Sequence, residues 1–162
     1  MKTKKLFLFA AIITAVLSAC KGDKGDTGPQ GAQGNANVQS YTYTVNPSNW
    51  YALTYEWDTD LGVSAVSQSI LDRGTVNVFM STDGGSNWLA LPFSFTGAEF
   101  NFLYKVGTVT VAYSWDNGVL PSSAPNTCKF KVIVVPGSIV RNNPHIDWNN
   151  YSEVRARFNL ND

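Results

Sequence analysis

Asp58-Thr59-Asp60-Leu61-Gly62 sets two carboxylates two residues apart ahead of a glycine. Calcium-binding loops use this spacing to gather hard oxygen ligands, but a twelve-residue loop also needs further donors and a bidentate Glu at its last position, which here is Ser69. Asp58 and Asp60 are thus weak metal candidates, and the simpler expectation is a polar loop after a strand over 51–57. His145 is the single imidazole, so any triad or His-based metal cluster must pass through it. Its setting, Asn143-Pro144-His145-Ile146-Asp147, reads as a solvated loop. There is no Gly-x-Ser-x-Gly, no His-Glu-x-x-His, no closely spaced cysteine pair and no Gly-rich phosphate loop. A carboxylate pair for glycoside hydrolysis would have to come from such residues as Glu56, Glu99 and Glu153, brought together only by the fold. The expectation is a protein that is not an enzyme, with no catalytic residue and no cofactor, a hydrolase ranking behind other readings.

Aromatic side chains are the stronger lead. Five Trp, seven Tyr and nine Phe make 13% of the chain, while charged residues make 15%. Exposed Trp and Tyr rings on β-domains can hold the apolar faces of sugars; the competing use is core packing. Alternation puts Tyr51, Leu53, Tyr55 and Trp57 on one strand face, expected to be core. Trp50 and Trp148 lie beside Asn and Asp at element ends and are the candidate glycan-contact rings. Twelve Lys+Arg against twelve Asp+Glu, with no basic block, argues against nucleic acid as a partner.

Ser81-Thr82-Asp83-Gly84-Gly85-Ser86-Asn87-Trp88 resembles the Asp box of sialidase-type propellers, departing from it at Asn87, where the box has Thr. That box is structural, recurs once per blade and lies away from the active site; here it occurs once. A hairpin turn explains it, with Asp-Gly-Gly supplying positive φ angles and Trp88 packing at a strand start. No catalytic residue is carried over.

The first twenty residues read as an address. Lys2, Lys4 and Lys5 precede an apolar run from Leu6 to Leu17, which makes ~18 Å of helix, too short for a ~30 Å hydrocarbon core and right for a secretory h-region. Leu17-Ser18-Ala19-Cys20 resembles the lipobox of bacterial lipoproteins. The resemblance implies cleavage after residue 19, acylation of Cys20 and anchoring to a membrane, the outer one favoured because Lys21 and not Asp follows the Cys. Loss of residues 1–19 removes three lysines, leaving nine basic against twelve acidic residues, a net charge of −3. Cys128 then has no disulfide partner and reads as a small buried hydrophobe.

Glycines at 22, 25, 28, 31 and 34 keep a strict period of three, as only Gly fits the axis of a triple helix. The segment resembles a collagen-like repeat. With four full triplets and one proline, Pro29, it reads first as an extended spacer; the alternative is a stalk that trimerises through 22–34.

What must position any binding residue is the remainder, 35–162. Period-two alternation recurs at Ser40–Val45, in the stretch ending at Trp57, around Val76–Met80, at Thr108–Trp115 and at Cys128–Val134, with Asn-Pro, Asp-Gly and Asn-Gly turns between. The pattern predicts an all-β fold, a mainly antiparallel sandwich of about seven strands, with a small β-barrel as the alternative. Ala65–Arg73 suggests one or two helical turns closed by Gly74. Asn150-Tyr151-Ser152-Glu153 reads as a capping box opening a C-terminal helix whose stripe Tyr151, Val154, Phe158 closes an end or edge of the sandwich. The layout resembles secreted Gram-negative lipoproteins with short collagen-like stems. It implies location: a lipid-anchored, surface- or periplasm-facing protein displaying a non-enzymatic binding domain. Its expected partners are membrane lipid at Cys20, a glycan or another surface protein, and further copies of the chain if the stem trimerises.

Overall fold

The computed structural model describes residues 37–160; the signal segment, Cys20 and the Gly-x-y spacer lie outside the described residues. Nine antiparallel strands occur among the described residues: β1 Gln39–Val45, β2 Tyr51–Ala52, β3 Glu56–Gly62, β4 Thr75–Ser81, β5 Leu89–Ala90, β6 Phe93–Phe95, β7 Ala98–Lys105, β8 Thr108–Trp115 and β9 Cys128–Val135. They form two sheets, one of order β1-β9-β4-β5 and one of order β2-β3-β8-β7-β6. The expected antiparallel sandwich is present, and the two sheets do not close into a barrel. The longer strand count comes from two-residue strands such as β2 and β5, too short to register as alternation.

The facing surfaces follow from period two. Val45 of β1, Val76, Val78 and Met80 of β4, and Cys128, Phe130, Val132 and Val134 of β9 meet Leu61, Val109 and Val111 of the second sheet. Trp50 belongs to this core, 6% exposed, with its ring edge-on to Phe130 at 6.0 Å. That corrects the expectation of a surface ring. The 3-10 turn Pro47–Asn49 is closed by Asn46, whose backbone N–H donates to the Asn49 side chain at 2.8 Å, and Trp50 follows it into the sandwich.

The stretch 51–57 is corrected as well. It is not one strand but a hairpin, β2 to β3, in which the Leu53 N–H donates to the Glu56 carbonyl at 2.8 Å. Tyr51, Leu53 and Tyr55 are exposed, and of the expected core set only Trp57 packs inward, its indole N–H donating to the Pro121 carbonyl at 2.9 Å. No Gly, Pro, Asn or Asp marks the turn in Ala52-Leu53-Thr54-Tyr55, so the alternation runs through it unbroken.

Three short helices complete the described residues: α1 Gln68–Arg73, α2 Gly137–Asn142 and α3 Tyr151–Phe158. None is long and apolar enough to cross a membrane. Helix α3 begins where the capping box predicts, the Asn150 side chain accepting from the Glu153 N–H at 3.2 Å. Its stripe is buried as expected, but it covers a face and not an end or edge. Tyr151, Val154 and Phe158 form a second apolar cluster with Phe79, Ile133 and Val135 on the outer surface of the four-stranded sheet. Strand β9 is therefore covered on both sides, as the unbroken run Val132-Ile133-Val134-Val135 requires. Gly74 follows α1 with an ordinary φ of −92°. Its glycine is needed for close approach, since a Cβ there would lie 2.6 Å from the Val135 carbonyl oxygen.

Candidate functional site

The connection from β4 to β5 is organised by one side chain. Asp83 accepts from the backbone N–H groups of Ser86 and Asn87, both at 3.0 Å, from the Asn87 side-chain amide at 2.6 Å and from the Ser81 hydroxyl at 2.7 Å. These donors, the Asn87 backbone foremost, hold its carboxyl far below the usual carboxylate range. Gly84 and Gly85 take φ of 77° and 104°, the left-handed region that closes the turn. Asn87, the departure from the Asp-box pattern, thus supplies the shortest bond to the carboxylate. Lys129 of β9 ties the turn to the sheet by donating to the Gly84 carbonyl at 2.9 Å.

The turn delivers Trp88 onto the outer face of β9. There Lys131, 1% exposed, places its ammonium 4.5 Å from the ring centroids of both Trp88 and Tyr151 and donates to the Tyr151 hydroxyl at 2.6 Å. The Trp88 and Tyr151 rings lie 5.7 Å apart at 54°. A buried cation between two ring faces is stabilised by the rings' quadrupoles. It fixes the indole from below, so Trp88 is half-buried yet not absorbed into the core.

Between this turn and α3 runs an open cleft of about 880 Å³, inside the range of sites for small ligands. Its aromatic wall is Trp88 with Tyr151; Ser86 and Asn87 line the turn side, and Asp147, Asn149, Ser152 and Asn159 the helix side. Asp147 is positioned by its own loop, its carboxylate accepting from the Asn149 N–H at 3.0 Å while its N–H donates to Glu153 at 3.4 Å. The chemistry on offer is one ring face plus amide, hydroxyl and carboxylate groups and the Arg155 guanidinium, suited to hydroxyl-rich ligands. Asp147 is the one carboxylate among the described lining residues, whereas glycoside hydrolysis uses a pair.

The residues singled out by sequence disperse. Trp148 neighbours the cleft residues Asp147 and Asn149, but its ring is half-buried and stacked on Phe158 at 5.7 Å and 10°. Asp58 and Asp60 are not in a loop: both lie within β3, which runs on to Gly62. No group of three or more His, Cys, Asp or Glu is placed to hold a metal among the described residues. His145 is exposed, away from the cleft lining. Cys128 is buried, and burial pushes its thiol up to about 11, which leaves it protonated and inert at neutral pH. Trp88 is the ring that pattern reasoning assigned to turn packing alone. The alternation of Lys129 and Lys131 on a strand otherwise apolar was the available signal that something sits above them.

No protein-family model, curated protein or solved structure matches this chain.

Proposed function

We propose that the chain is a lipoprotein anchored through Cys20 to a bacterial membrane, the outer membrane favoured, and that it displays a non-enzymatic binding domain whose ligand is a glycan. The observation carrying the ligand class is the Trp88 cleft. An indole held by a buried cation faces a rim of Asn, Ser, Asp and Arg side chains, so a sugar's apolar face and its hydroxyls both find partners. The anchoring half rests on Lys2–Lys5, the apolar run and Leu17-Ser18-Ala19-Cys20, and the spacer 22–34 would hold the domain away from the lipid.

Two experiments test the reading. Cells fed an alkyne-bearing fatty acid will label the wild-type chain and place it in the membrane fraction, and Cys20→Ala will lose both. Equal labelling of the variant contradicts the anchor. On an oligosaccharide array, the full-length protein will retain a defined set of glycans and Trp88→Ala will weaken them at least tenfold, the worth of ~1.4 kcal/mol. Unchanged binding by that variant removes the cleft from the account.

A further inference from the structure

The outer surface of the five-stranded sheet carries a second, different site. On β3 the residues facing away from the sandwich are Glu56, Asp58, Asp60 and Gly62, since Trp57 and Leu61 face the core. Strand register extends this acidic row sideways. Glu56 lies opposite Ser114, and Ser114 opposite Glu99 of β7. Between them β8 contributes only Thr108, Thr110, Ala112 and Ser114 to this face, short side chains that leave a trough between the longer residues of β3 and β7.

Asp58 lies in that trough opposite Ala112. It is 7% exposed, and its buried Oδ1 has no hydrogen-bond partner among the described residues. Asp60, by contrast, is exposed and accepts from the Thr110 hydroxyl at 2.6 Å. Tyr51 of β2 is directly across from Asp58, its ring 44% exposed beside the carboxylates. Burial first, then Glu56 and Asp60, raise the Asp58 carboxyl above its ordinary value, while burial followed by Asp60 and Asp58 raises the Tyr51 phenol. A buried carboxylate oxygen with no donor costs the fold free energy. Here the neighbours add repulsion instead of compensation, and a positive ligand group would relieve both.

We infer that this acidic trough around Asp58 binds an alkylammonium group, as carried by a polyamine or a lysine side chain. Cα atoms two positions apart on a strand lie ~6.6 Å apart, and among the described residues no three acidic groups converge to hold a metal ion. A compact ammonium can instead pair with the Asp58 carboxylate from the trough, feel Glu56 and Asp60 at longer range, and lie against the Tyr51 ring.

Calorimetric titration of the full-length protein with spermidine and, separately, with tetralysine tests this. Saturable binding of at least one is expected, and the tighter of the two tells free polyamine from basic peptide. Asp58→Asn, which removes an unpaired charge and so preserves folding, is expected to weaken binding at least tenfold. Asp60→Asn weakens it with the buried position intact. Asp72→Asn removes the same charge from α1, outside the trough, and leaves it unchanged. Binding of neither probe, or equal losses in the Asp58 and Asp72 variants, overturns the inference.

Discussion

Asp83 stands at the surface among four donors that favour its charged form, whereas Asp58 is buried with a carboxylate oxygen that no donor among the described residues reaches. The two therefore act on stability with opposite signs. The Asp83 carboxyl is depressed in the fold, so its contribution is present above the ordinary carboxylate value and is lost as pH falls through the folded one. Asp83→Ala will lower the thermal midpoint at pH 7 and speed amide exchange at Ser86 and Asn87, and the difference in midpoint will shrink in acid. The Asp58 carboxyl is raised; its penalty is absent below the ordinary value and grows as pH rises through the folded one. Asp58→Asn will stabilise the protein by ~1 kcal/mol at pH 7, measured by urea unfolding, with the gain disappearing in acid. Sequence showed the two acidic positions but not their fates, because Asp-x-Asp is read by position whereas desolvation depends on which strand lies alongside.

Helix α3 and the β4–β5 turn are the elements that build the cleft, and the sandwich presents them. Removing the helix stripe uncovers Phe79, Ile133 and Val135. Phe158→Ala should cost ~3–5 kcal/mol, and Asn150→Ala, which removes the cap, ~1 kcal/mol in the same urea unfolding series. Gly137 is another element-level constraint, its Cα facing the Arg73 backbone so closely that a Cβ would overlap it. Gly137→Ala is expected to destabilise by ~1–3 kcal/mol, a cost of overpacking unrelated to φ. Alternation identified β1, β4, β8 and β9, and the Asn150/Glu153 spacing identified α3. The β2–β3 hairpin was hidden because Tyr51, Leu53, Tyr55 and Trp57 alternate across a turn that lacks any turn-forming residue. Trp50 was hidden because its neighbours Asn49 and Tyr51 are exposed while the 3-10 turn carries the ring inward.

At the scale of the whole chain, the proposed address and the fold rest on separate segments. The proposed location rests on local motifs, Leu17–Cys20 and the glycine period, legible without any structure. The proposed binding surface is not local. Trp88 comes from the β4–β5 turn, Lys131 from β9, and Tyr151 with Asn149 from the C-terminal segment, so the cleft exists only once α3 has settled on the four-stranded sheet. What the sequence could show was an aromatic surplus beyond the obvious core stripes. The most direct test is an NMR titration of the full-length protein with a glycan retained on the array, following the tryptophan indole N–H signals. The account predicts a saturable shift of the Trp88 signal together with the Asn149 side-chain amide, while Trp50, sealed in the core, stays in place. A saturable shift confined to Trp57 or Trp115, with Trp88 unmoved, would contradict it.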